Sequence, residues 1–270
     1  MYLIREILMN VLLKQIFDKY IEIPEVESIA IGGSVMAKTS DVCSDIDVYI
    51  FSNDNIPLEK RNLIIKPISD RYEIGGEYFG SGDEFLVKGL NKQLDIMYWN
   101  NKWFETVIYN TWFNCCPQNG YTTCFLFTLK NFDIIYDKNN WLGALQEKIN
   151  TPYPKSLKEN IIKRNLMLMK DKPFASYYEQ IEKAIQRNDI NSINHRITAF
   201  VASYFDIIFA LNEKLHPGEK RLIKFVMDNC KLVPNDFERN LNKLFKQPNN
   251  DTLNILNNII KELKILISQQ

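Results

Sequence analysis

The stretch whose reading decides the fold is Ile29-Ala30-Ile31-Gly32-Gly33-Ser34-Val35-Met36-Ala37-Lys38-Thr39-Ser40-Asp41-Val42-Cys43-Ser44-Asp45-Ile46-Asp47-Val48-Tyr49-Ile50-Phe51. An apolar run ends in two glycines and a serine, a polar, turn-rich segment follows, and a second apolar run opens on two carboxylates one residue apart. Strand side chains alternate faces, so Asp45 and Asp47 project from one side at roughly 6–7 Å spacing. One or two divalent cations can bridge that distance.

Two carboxylates aimed the same way where water is excluded repel each other, and without a partner one is driven toward protonation. A bound cation removes that cost. Hard oxygen ligands favour Mg²⁺, which keeps several waters and takes one or two carboxylates together with substrate phosphates. The glycine turn supplies the complementary half, because small residues let the backbone approach a phosphate and amide N–H groups at a following helix start face the anion. Asp-x-Asp alone is common, and a Gly-Gly-Ser turn alone is only a turn. Together they are restrictive, since the glycines end one apolar run and the carboxylates open the next, with ten residues between Ser34 and Asp45.

At these residues the sequence resembles the nucleotidyltransferases of the DNA polymerase β superfamily, whose signature is Gly-Ser, a spacer, then Asp-x-Asp on the next strand. Gly33-Ser34 and Asp45-Ile46-Asp47 match it. The resemblance implies a third carboxylate on a later strand of the same sheet, and Asp95 in Gln93-Leu94-Asp95-Ile96-Met97-Tyr98 fits, as a third metal ligand or as the base that deprotonates the acceptor hydroxyl. It also implies Mg²⁺ as cofactor and ATP or another NTP as co-substrate.

Composition bounds the alternatives. In 270 residues, 46% of them hydrophobic, one or two domains can each bury a core. Basic and acidic residues balance at 33 each, which disfavours nucleic acid as a partner, since broad phosphate contact needs many cations. Five cysteines without metal-ligand spacing read as reduced thiols in a cytoplasmic protein. The apolar segment from Met1 to Tyr20 is interrupted by Arg5, Glu6 and Lys14, so neither a signal peptide nor a membrane span is expected. With only His195 and His216 available, and neither near a nucleophile motif in sequence, Ser-His or Cys-His chemistry is not expected.

Along the chain, Leu3, Ile7, Leu8, Val11, Leu12 and Ile16 recur at helical spacing and predict a helix that covers the sheet. Strands are expected over 26–31 and 45–51, with Lys38 between them as a candidate triphosphate contact. A helix follows over 56–68, and glycines at 75, 76, 80 and 82 predict a flexible or tightly turned loop. Strands at 83–87 and 92–99 form a hairpin that delivers Asp95 beside Asp45 and Asp47. Helices over 102–112 and 125–130 precede an edge strand at 133–137, where Tyr136 and Asp137 are assigned structural roles. Beyond Thr151-Pro152-Tyr153-Pro154 the pattern is helical throughout. The longest helix, over 191–212, carries the stripe Ile193, Ile197, Phe200, Val201, Tyr204, Ile208 and Leu211.

The expected architecture is α+β: a mixed-sheet nucleotidyltransferase domain over 1–150 and an all-helical bundle over 151–270. The segment Phe209-Ala210-Leu211-Asn212-Glu213-Lys214-Leu215-His216-Pro217-Gly218-Glu219-Lys220-Arg221-Leu222 resembles the helical half of a bacterial nucleotidyltransferase-like family, similar in layout to the lincosamide and aminoglycoside nucleotidyltransferases. These resemblances imply transfer of a nucleoside monophosphate, AMP from ATP first, to a hydroxyl on a small molecule such as an antibiotic. Asp45, Asp47 and Asp95 hold the metal, Gly33 and Ser34 take the phosphates, and Lys220 is a second candidate contact. An antitoxin-like protein that binds or nucleotidylates a protein partner is the rival reading. A homodimer stays open.

Overall fold

The structure, a computed structural model, describes residues 2–32, 45–78, 80–89, 92–246 and 251–270, with backbone only for 2–10. It divides into two compact units, one of residues 1–108 and 128–151 and one of 109–127 and 152–270. Each is described by itself.

The first unit is built on a six-stranded sheet. Helix α1 (Tyr2–Ile21) leads into β1 (Val26–Gly32) and β2 (Ile46–Ser52); α2 (Leu58–Ile65) precedes β3 (Tyr72–Gly76), β4 (Gly82–Val87) and β5 (Lys92–Asn100). After α3 (Asn101–Trp112) and α4 (Cys124–Lys130), β6 (Asp133–Asp137) and α5 (Trp141–Lys148) complete the set. The strand order is β3-β4-β5-β2-β1-β6, with β2 and β5 parallel and the other pairs antiparallel. The sheet is therefore mixed, and its central strand β2 is apolar almost without interruption because both of its faces are covered.

Alternation sorts the two faces. Ile46, Val48, Ile50, Leu94 and Ile96 pack with Leu13, Ile16, Phe17 and Tyr20 of α1. On that face a buried ion pair joins Arg61 Nη2 to Asp83 Oδ1 at 2.6 Å. Asp83 also accepts from the Tyr98 hydroxyl at 2.6 Å and from the Gly75 amide at 2.8 Å. The other face carries Tyr49, Phe51 and Trp99, which meet Phe104, Phe132 and Trp141 in edge-on and tilted contacts.

The glycine-dense segment, expected as a flexible or tightly turned loop, is in part strand, with Gly75 and Gly76 ending β3 and Gly82 opening β4. Residues 72–76 form edge strand β3, with a register shift between Ile74 and Gly76. Gly75, at φ +82°, takes the backbone conformation of such a bulge, and a Cβ there would meet Leu58 at 2.9 Å. Asp137 is structural, accepting from Ser28 Oγ and from the Leu142 and Gly143 amides at the start of α5.

The second unit contains α6 (Lys155–Leu166), α7 (Tyr177–Gln186), α8 (Ile190–Leu211), α9 (Leu222–Asn229), α10 (Phe237–Leu244) and α11 (Thr252–Ser268). Ser176 caps α7 by accepting from the Glu179 amide, and Asp189 caps α8 by accepting from the Ser192 amide. Helix α8 is the core of the unit. Its expected stripe is buried, and from Phe200 to Leu211 every residue is buried, so this part lies inside the unit rather than on its edge.

Asp206 sits in that buried length. It accepts from the Thr122 amide at 3.0 Å, the Thr122 hydroxyl at 2.6 Å and Asn165 Nδ2 at 3.1 Å. Burial outweighs these bonds and pushes the carboxyl from 3.8 up to about 6. Below about pH 4 the group is neutral folded or unfolded; above about 6 the folded state carries a buried charge. Stability from this group is thus present at low pH and lost as pH rises through about 6, by roughly 3 kcal/mol. Urea unfolding between pH 4 and 8 is expected to show that loss relative to Asp206→Asn, whose profile is flatter; parallel profiles would exclude it.

Candidate functional site

Register brings the carboxylates together. Asp47 on β2 pairs with Asp95 on parallel β5, Asp95 pairs with Glu84 on β4, and Glu84 pairs with Glu73 on β3. Residues directly opposite in a ladder share a face, and strands lie about 4.8 Å apart, so the four acids form one row roughly 14 Å long. Asp45 lies two residues before Asp47. Asp47 and Asp95 are half-buried, Asp45 and Glu84 exposed.

The charges feel one another. Glu84 is exposed, yet its carboxyl is raised, first by partial desolvation and then by the charges of Asp95, Glu73 and Asp45. Gln93 donates to Asp95 Oδ1 at 2.9 Å. Farther along the same face, burial and then the charge of Asp47 push the Tyr49 phenol up, which keeps it protonated. The acidic row thus gives way to an aromatic cluster. Gly32, opposite Asp47 on β1, belongs to that packing, because a Cβ there would meet Tyr49 Cε2 at 2.8 Å and Phe132 at 3.2 Å.

Among the described residues no three His, Cys, Asp or Glu side chains converge to hold a metal ion by themselves. The donor set fits a hard cation that takes one or two carboxylates and draws its other oxygens from water and phosphates, as Mg²⁺ does. The mutual repulsion registered at Glu84 is what such a cation relieves.

Asp47 and Asp95 stand opposite each other on one face of the sheet, and the charge of Asp45, just before β2, acts on Glu84 of that face. Gly33, Ser34, Lys38 and Cys43 lie outside the described residues. Lys220 is exposed on the turn before α9, in the helical unit. Glu84 and Glu73 carry no motif of their own in the sequence, but the β4–β5 register pairs Val87 with Lys92 and, three residues back, Glu84 with Asp95.

His216 sits against a cysteine, with its Nδ1 3.4 Å from Cys124 Sγ, although 92 residues separate them. Burial pushes the imidazole down to about 3 and the thiol up to about 12, so both are neutral and the pair is no activated nucleophile. The His216 ring packs between Tyr121 and Phe209.

A family described as Domain of unknown function (DUF4037) matches residues 121–222, less than half of the chain. Thr122, Cys124, Asp206 and His216 fall inside that span. No curated protein matches the chain. In structure the chain is similar to a nucleotidyltransferase-like protein from Exiguobacterium sibiricum 255-15, at 10% identity and a TM-score of 0.46, covering 95% of this chain and 73% of that one. It is similar to the STING-associated CdnE c-di-GMP synthase from Capnocytophaga granulosa at 17% identity and a TM-score of 0.30, covering 95% and 78%. The Thermotoga maritima CCA-adding enzyme, complexed with tRNA, gives 12% identity and a TM-score of 0.26 over 90% and 77%. Among the described residues no helix is long and apolar enough to cross a membrane.

Proposed function

We propose that the chain is a nucleotidyltransferase that moves a nucleoside monophosphate, AMP from ATP first, onto a hydroxyl of a small molecule and releases pyrophosphate. The observation that supports it is the pairing of Asp47 with Asp95 on adjacent parallel strands, in the row that Glu84 extends. In this reading Asp45, Asp47 and Asp95 would hold a divalent cation, which would polarise phosphoryl oxygens and neutralise developing charge. Asp95 also receives the acceptor's proton as the oxygen–phosphorus bond forms and the bond between the α and β phosphates breaks. Gly33 and Ser34 take the outer phosphates, and Lys38 is the assigned cationic contact. Aminoglycosides and lincosamides are the first acceptors to test, following the sequence resemblance.

The test is incubation with α-labelled NTPs and Mg²⁺ against panels of hydroxylated small molecules, with a protein lysate as a separate arm. Label on a small molecule with equimolar pyrophosphate, abolished by EDTA, is the expected result. Label appearing only on a protein supports the antitoxin-like alternative and overturns the small-molecule acceptor. No transfer and no nucleotide binding overturn the proposal altogether.

A further inference from the structure

The helical unit contains a cleft of about 800 Å³, within the size range of small-molecule sites. Its floor is apolar, formed by Val201, Ala202 and Phe205 of α8 and by Leu222 and Ile223 of α9. At its rim Tyr121, Met227 and Phe245 leave 37%, 54% and 56% of their surfaces exposed. Large apolar side chains gathered around one opening mark a surface that meets a ligand more often than scattered ones do.

Two carboxylates, Glu219 and Glu238, and two cations, Arg221 and Lys224, line the cleft, and Lys224 is paired with Asp228 at 2.9 Å. Neither Glu219 nor Glu238 shows a side-chain hydrogen bond or ion pair among the described residues. Both are exposed, so neither is needed to hold the unit together. With Lys224 paired to Asp228, two carboxylates remain against the one guanidinium of Arg221, so the remaining lining charge is negative, and it borders aromatic and aliphatic walls. That combination suits a cation whose body is apolar, because the ring contacts favour a flat hydrocarbon and the carboxylates favour an ammonium group over an anion.

We infer that this cleft binds an amphiphilic amine, a small molecule with an apolar ring system and at least one protonated nitrogen that meets Glu219 and Glu238. The inference rests on the helical unit alone and stands whether or not the sheet unit transfers nucleotides.

The experiment uses the full chain and three fluorescent probes of similar aromatic size: dansylcadaverine, which is cationic, dansylamide, which is neutral, and anilinonaphthalene sulfonate, which is anionic. Dansylcadaverine is expected to bind saturably and at least about fivefold more tightly than the other two. The double variant Glu219→Gln, Glu238→Gln is expected to lose about tenfold in affinity for it while leaving dansylamide unchanged. Thr198→Trp, which fills the cleft from an exposed position on α8, is expected to abolish binding of all three with the circular dichroism spectrum retained. Equal or tighter binding of the anion, an unchanged double variant, or binding that survives Thr198→Trp would each overturn the inference.

Discussion

Asp47→Asn is expected to reduce nucleotide transfer by about 10³-fold or more, with the folded structure retained. The activity loss follows from the several kcal/mol of charge stabilisation that a carboxylate-held cation supplies at a phosphoryl centre, each 1.36 kcal/mol being tenfold in rate. The fold is expected to hold because asparagine keeps the shape of aspartate on β2, opposite Asp95. Transfer assays and thermal melts on the same preparation separate the two effects. A variant that transfers normally would exclude Asp47 from the chemistry, and one that loses activity only by unfolding would make its role structural.

The second large effect lies on the opposite face of the same strands. Asp83→Ala is expected to cost about 3–5 kcal/mol, because it strands a buried guanidinium. Arg61 and Asp83 have side chains only 6% and 0% exposed, and Arg61 also lies 4.4 Å from the centre of the Tyr98 ring. Removing the aspartate leaves Arg61, the Tyr98 hydroxyl and the Gly75 amide without the acceptor they share. Arg61→Met combined with Asp83→Leu is expected to recover most of the loss, since well-packed apolar replacements of buried pairs are often neutral. Urea unfolding of the two single variants and the double variant measures this directly. A loss below about 1 kcal/mol for Asp83→Ala would show that water reaches the pair.

The sheet was legible in sequence where local pattern and register decide it. The apolar run that opens on Asp45 and Asp47 reads as a strand, and the runs at 83–87 and 92–99 read as the two arms of one hairpin, as β2, β4 and β5 are. The stripe on α8 gave a buried helix by its three and four residue steps. What sequence did not give depends on partners far along the chain. Edge strand β3 was hidden because its glycines serve a bulge and a close approach to Leu58, uses that look like turn signals until β4 is in place. Asp206 is 84 residues from Thr122 and 41 from Asn165, and Cys124 is 92 from His216, so no local period announces them. The acidic row was half legible: Asp45, Asp47 and Asp95 carried a motif, whereas Glu84 and Glu73 follow only from counting ladder pairs.

The central claim is that this row is where a nucleotide's phosphates meet a cation. The measurement that tests it most directly is anomalous scattering from crystals grown with Mn²⁺ and a non-hydrolysable ATP analogue. The account predicts a manganese peak within coordination distance of the Asp47 and Asp95 carboxylates, with the triphosphate on the same ion. A nucleotide bound elsewhere, or the row bare of metal while nucleotide is bound, would contradict it.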